Sequence, residues 1–207
     1  MNVAFLADIH GNYKALRSVI NNLSDRNIQK IYFLGDYVNY YNNPDKCLDL
    51  IKSLNAVYIK GNHEQIIIDI VENKVNVKKF HNKYNNTVQI TLKKLKSRHI
   101  NFIKEMKEKK IIQIKNTKML IAHGSPWSPN YYCYANKLKN WKNKIEKYKQ
   151  EIILLAHTHI KMKIKYKNKL ILNPGSVGQP RDGSLGANWL EYNTVKKKFI
   201  FKNINYR

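Results

Sequence analysis

The feature that most constrains this chain is a set of short apolar runs that all end the same way. "VAFLA" (3–7) opens onto Asp8 and His10, "KIYFLG" (30–35) onto Asp36, and "AVYIKG" (56–61) onto Asn62 and His63. Farther along, "KMLIA" (118–122) is followed by His123, and "EIILLA" (151–156) by His157 and His159. The runs have the length and the β-branched and aromatic content of strands. Between the first three lie helical patterns: "NYKALRSVINNL" (12–23) repeats apolar residues at helical spacing, and "NPDKCLDLIKSL" (43–54) begins with Asn-Pro, a helix-start signal. The order β-α-β-α-β implies a parallel sheet. In such sheets ligands collect outside the carboxyl ends of the strands, where these polar residues stand.

After Glu64 the pattern turns helical, over 64–72 and over a strongly basic 83–108. Strands are expected at 110–114, 118–122 and 151–156, with a helical run over 135–149. The tail segments "MKIKYK", "KLILN", "NWLEYN" and "KKFIFK" alternate apolar and polar residues, as half-exposed antiparallel strands do. The expected fold is α/β, two packed mixed β-sheets flanked by helices. A single domain is expected across residues 1–207, with the helical segment of about 64–108 inserted beside the site. Cys47 and Cys133 form no C-x-x-C or His-paired arrangement and read as reduced thiols. No run of 18 apolar residues occurs, and Asp8 and His10 come too early for the apolar core of a secretory signal, so a cytoplasmic protein is expected.

Of the seven histidines, only His81 and His99 lie away from these strand ends. Taken singly, Asp8 or Asp36 reads as a cap or turn residue and His123 as a structural histidine. Their coincidence at strand ends of one polarity is what points to a site. In "LLAHTHI" (154–160), His157 and His159 are two residues apart and would project together in an extended strand, about 6.6 Å from each other. That spacing suits one ion held by both rings or two neighbouring ions held by one ring each. The mixture of carboxylate, imidazole and amide suits borderline or hard divalent metals, with no thiolate taking part.

In order, "DIH", "GD", "GNHE", "HGS" and "HTH" resemble the motifs of the calcineurin-like metallophosphoesterase superfamily and span residues 8–159. "DIHGN", "FLGDYVNYYNNPDKCLDLI" and "NPGSVGQPRDG" (173–183) are similar to its small single-domain bacterial and archaeal phosphoesterases. The resemblance implies a four-layer α/β/β/α sandwich. It implies one metal held by Asp8, His10 and His159, a second by Asn62, His123 and His157, and Asp36 bridging both. The implied cofactors are two divalent ions, manganese first and iron, nickel or zinc as alternatives, sharing a hydroxide that attacks phosphorus in line. His63 would contact the phosphate or protonate the leaving oxygen, and Asn12 and Arg181 are candidate substrate contacts.

The chain also departs from the family pattern. Ala156 stands where the family has glycine, a methyl group that could crowd the site. Asn39 stands where the protein Ser/Thr phosphatase branch carries an aspartate paired with its catalytic histidine, which lowers that activity in the ranking. The loop 173–183 reads as a stiff connection, with Arg181 as its functional exception. Tyr131 and Tyr132 follow the His123 loop and read as rim or core residues before base-stacking ones.

The leading functional reading is a metal-dependent enzyme that hydrolyses a phosphodiester or phosphomonoester of a nucleotide or related small molecule. The alternative is a nuclease or end-processing phosphatase acting on RNA or DNA. It rests on a net charge of +24 and on residues 74–118, which carry 14 Lys/Arg against Glu105 and Glu108. Most of that charge is lysine in a chain also rich in Asn, Ile and Tyr, so compositional bias explains it equally well. A metal-free interaction scaffold is the third reading, and the complete ligand set argues against it.

Overall fold

The computed structural model describes residues 1–206. Two five-stranded sheets face each other, with helices on their outer sides. The first contains β1 (Asn2–Leu6), β2 (Ile28–Phe33), β3 (Ala56–Tyr58), β9 (Ala187–Asn193) and β10 (Lys198–Ile204) in the order β10-β9-β1-β2-β3. Here β1, β2 and β3 are parallel, and β9 runs antiparallel to both β1 and β10. The second contains β4 (Lys109–Ile114), β5 (Thr117–Ala122), β6 (Ile152–Leu154), β7 (Lys161–Tyr166) and β8 (Lys169–Pro174) in the order β4-β5-β6-β8-β7. In this sheet β5, β6 and β8 are parallel and β4 and β7 are antiparallel edges.

The two-residue period of β1 builds two of the layers. Ala4 and Leu6 pack with Leu16 and Val19 of α1 (Tyr13–Asp25) and Leu48 and Ile51 of α2 (Pro44–Ser53). Val3, Phe5 and Ala7 point the other way, into the core between the sheets, against Leu34, Met119, Ile121, Leu154 and Leu172. Both faces of β1 are buried, which is why its sequence is continuously apolar. On the far side of the second sheet, Leu120, Ile153 and Ile171 pack under Trp141 and under Ile145 of α7 (Lys142–Glu146).

Several boundaries differ from the sequence reading. After α3 (Asn62–Val71), the helix expected over 83–108 is three: α4 (His81–Tyr84), α5 (Thr87–Lys94) and α6 (Ser97–Lys104). Asn85 has a positive φ (50°) with ψ −139°, which breaks the helix, and Leu95 and Lys96 are extended. The run expected over 135–149 is a 3-10 helix at Ala135–Asn140 followed by α7, with Lys137 non-helical inside the first. β3 and β6 stop after three residues each, so the chain leaves the sheet before Asn62 and His157. Among the described residues, no helix is long and apolar enough to cross a membrane.

Candidate metal centre

The carboxyl ends of β1, β2, β3, β5 and β6 converge at one place between the sheets. Asp8, His10, Asp36, His157 and His159 all have positive φ there, between 53° and 68°. None is glycine, and such backbone costs on the order of 1 kcal/mol or more per residue, a strain that concentrates at functional sites. The framework that holds it is visible. Asp8 N–H donates to Gly35 O (3.1 Å), and His10 N–H donates to Asp36 O (2.9 Å). The buried Glu64 carboxylate accepts the backbone N–H groups of Asp36, Tyr37, Val38 and Gly61 at 2.7–3.3 Å, tying the β2 loop to the start of α3. Gly61 must lack a side chain because a Cβ would lie 2.1 Å from Asp36 Oδ1.

The loop 173–183 spends its polar groups on this framework. Ser176 Oγ and Gly178 N–H both donate to Asp8 O (2.7 and 2.9 Å), and Val177 N–H donates to Ala7 O. It is a structural connection, not a phosphate cradle.

Two overlapping sets of donor atoms result, one of Asp8, His10, Asp36 and His159, the other of Asp36, His123 and His157, each set within 4.8 Å of one another. Asn62 Oδ1 joins the second at 3.1 Å from His123 Nε2. All of these residues are buried. His10, His123 and His159 each have Nδ1 within 2.7–3.1 Å of a backbone carbonyl, those of Val38, Leu34 and Gln179. A carbonyl only accepts, so Nδ1 carries the proton and, on a neutral ring, Nε2 carries a lone pair. Those lone pairs face other acceptors: His10 Nε2 is 3.0 Å from His159 Nε2, and His123 Nε2 is 3.1 Å from Asp36 Oδ2. His157 Nε2 is buried and makes no hydrogen bond. Converging acceptors of this kind fit a divalent cation.

The proton affinities of three of the rings agree with that fit, whereas burial raises Asp8 well above the usual carboxylate range. Burial, reinforced by His63, holds His10 well below the ordinary histidine range, and burial brings His157 and His159 down to about 3. These rings are therefore neutral at pH 7, the form that ligates metal. Burial alone would raise Asp36, but His123 and His63 outweigh it and hold the carboxylate well below its usual range. Burial would lower His123, yet the Asp36 carboxylate outweighs it and raises the ring to about 9. In the absence of metal, a proton on Nε2 supplies the positive charge between them.

His63 lies at the edge of the centre, Nε2 3.9 Å from Asp36 Oδ2, and burial lowers it to about 4. Its Nδ1 is 2.8 Å from Asn39 Nδ2, so with the amide in this orientation Nδ1 accepts and Nε2 carries the hydrogen. Tyr40 and Tyr84 pack on the ring, centroids 5.2 and 4.8 Å away. Asn39 N–H donates to Thr91 Oγ1 (3.3 Å), which brings α5 against the site.

Asn12, expected as a substrate contact, is engaged by the framework. Its Oδ1 caps α1 by accepting Ala15 N–H, and its Nδ2 donates to Gly178 O and Tyr206 Oη, each at 3.0 Å. Both amide hydrogens are thus spent on the framework. Arg181 is exposed, its backbone N–H donating to His159 O (3.1 Å) and its guanidinium to Gln179 Oε1 (3.1 Å). The Ala156 methyl packs in the inter-sheet core and does not crowd the donors. Tyr131 packs on Trp127, whereas Tyr132 faces the His157 ring at 3.9 Å and is 39% exposed. Glu64 escaped the sequence reading, although a Glu in the first turn of a helix three residues after Gly61 is half of a capping box.

Residues 1–194 match the profile of the calcineurin-like phosphoesterase superfamily domain. The chain belongs to this superfamily. This calcineurin-like phosphoesterase is accordingly a hydrolase of phosphate esters with a divalent-metal centre. It is 30% identical to the uncharacterized protein MJ0912 of Methanocaldococcus jannaschii, over 99% of this chain and 87% of the relative. Its fold is similar to that of a metallophosphoesterase from Sphaerobacter thermophilus (TM-score 0.83, 22% identity, 100% of this chain and 90% of that one). It is also similar to the hypothetical protein PH1004 of Pyrococcus horikoshii OT3 (TM-score 0.82, 21% identity, 100% and 88%).

Proposed function

We propose that this phosphoesterase is dinuclear and hydrolyses a phosphodiester or phosphomonoester of a nucleotide, with residues 1–207 acting as one domain. The observation that carries the reading is that Asp36 belongs to both donor sets, while the lone pairs of His10 and His159 face each other at 3.0 Å. Asp8, His10 and His159 would hold one ion and Asn62, His123 and His157 the other, with Asp36 between them. Manganese is the first choice for this N/O set, ahead of iron, nickel or zinc. Two such ions supply Lewis-acid charge to the phosphoryl oxygens and make a water acidic enough to attack phosphorus in line. His63, neutral at pH 7, presents Nε2–H and donates a hydrogen bond to the phosphoryl or leaving oxygen. Arg181 binds the phosphate from the mouth of the site, and α3 to α6 stand beside it.

A screen of phosphate esters, cyclic nucleotides included, with each of the four metals on wild type and Asp36→Asn tests this. The variant should lose activity on every substrate, and wild-type rates in Asp36→Asn would refute a shared bridging carboxylate. The alternative nuclease reading is favoured by a lysine-lined groove at Lys107, Lys109 and Lys110 beside Tyr148. It requires oligonucleotide rates that fall steeply between low and moderate salt while small-ester rates do not.

A further inference from the structure

Tyr132 and Tyr134 form a stacked pair on the loop that leaves His123, ring centroids 5.6 Å apart and planes within 6°. The inner ring, Tyr132, meets the His157 ring at 3.9 Å. The outer ring, Tyr134, lines a cavity of about 440 Å³ together with Ala135, Asn136, Lys137 and Ile160. Ile160 directly follows His159, so the cavity adjoins the loop that carries both histidines.

Part-exposed aromatic rings beside a metal centre are useful for recognition only if they are already ordered. These are anchored from below. Cys133, between the two tyrosines, is buried in the outer core, and the fully buried Trp141 donates its indole N–H to Tyr134 O at 3.1 Å. The backbone that carries the rings is therefore anchored, and the stack with Tyr132 supports the Tyr134 ring.

The lining is chemically specific. Tyr134 offers a π surface that already has Tyr132 stacked on it and Lys137 Nζ over the ring, 5.9 Å from the centroid. Asn136 is an exposed amide able both to donate and to accept, and Ala135 and Ile160 supply apolar walls. A heteroaromatic ring that displaces the lysine ammonium from the ring face uses all of these at once: stacking, a flexible cation at its rim, and hydrogen bonds along the ring edge. Tyr132 links the cavity to the metal centre, stacked on Tyr134 on one side and against the His157 ring on the other.

We propose that this cavity is the nucleobase subsite of the enzyme and Tyr134 its stacking platform, which makes nucleoside phosphate esters the substrate class. The inference rests on the reading of the metal centre given above. Its test compares the methylene phosphonate analogues of adenosine 5′-monophosphate and ribose 5-phosphate, which differ only in the base. Their binding to the manganese-loaded protein is measured by calorimetry. Wild type should bind the adenosine analogue about tenfold tighter or more. Tyr134→Ala should reduce its affinity to that of the ribose analogue, and Tyr134→Phe, which keeps the ring, should retain the preference. Equal affinities in wild type overturn the subsite and leave the metal centre standing. So does a persisting preference in Tyr134→Ala, or its loss in Tyr134→Phe, when the variant's thermal midpoint shows it folded. Protein that binds no manganese overturns both.

Discussion

Asp36 Oδ2 and His123 Nε2 stand 3.1 Å apart in the floor of the site, with His123 Nδ1 2.7 Å from Leu34 O. Because Nδ1 is committed to that carbonyl, only a proton or a cation on Nε2 makes the pair attractive. Without metal the proton is there, since Asp36 raises His123 to about 9 against the opposing effect of burial. Metal must displace it. Affinity should therefore fall as pH drops below about 9, by about tenfold per unit for one linked proton. Manganese titrations at pH 7 in two buffers of different ionisation enthalpy should show about one proton released per chain from this ring. Heats that do not depend on the buffer would contradict the assignment.

Asn39 sets what His63 can do. An amide 2.8 Å from Nδ1 leaves the ring neutral, whereas a carboxylate in its place would stabilise the imidazolium and raise His63 from about 4. General acid catalysis is worth on the order of 10²–10⁴-fold. Asn39→Asp should therefore increase the rate on alkyl phosphate esters, which need a protonated leaving group, by about tenfold relative to p-nitrophenyl esters, which do not. Parallel pH-rate profiles for both ester types decide it, and an unchanged ratio counts against the role given to His63.

Glu64 accepts four backbone N–H groups, so Glu64→Gln places an NH₂ group against donors. The expected cost is about 2–4 kcal/mol in urea unfolding of the metal-free protein. Metal affinity should fall as well, because Asp36 loses the loop that aims it. A variant of wild-type stability and affinity would show that the four bonds are dispensable.

Ala156→Gly tests the departure at that position. Removing a methyl group from the inter-sheet core and freeing the backbone should cost about 1–2 kcal/mol. Manganese affinity should stay at the wild-type value. A gain in activity or affinity would instead mean that the methyl group crowds the donors.

Much of this architecture was legible because two signals coincide in it. Burial of both faces of β1 makes Val3 to Ala7 continuously apolar, and the polar residues that follow each parallel strand lie where such sheets expose their carboxyl ends. The helical boundaries were less legible. A basic, amphipathic 83–108 reads as one helix until Asn85 adopts φ 50°, a choice that tertiary contacts make and composition does not. Left-handed backbone at Asp8, His10, Asp36, His157 and His159 left no trace in the sequence, since glycine is the usual sign of it. The cap that Asn12 forms on α1 was not legible, because an amide beside a metal motif and an amide capping a helix have the same one-letter pattern. Tyr84 lies 21 residues from His63 in sequence and reaches it only through the fold of α3 and α4.

The central claim is that Asp36 is shared by two cations. Its most direct test is the divalent-metal content per chain of wild type and Asp36→Asn after manganese loading and desalting, with phosphoesterase activity read on the same samples. Two ions per wild-type chain are expected, with one or none in the variant, and activity that disappears on chelation and returns with metal. A wild-type chain that is fully active with no divalent ion bound would contradict it.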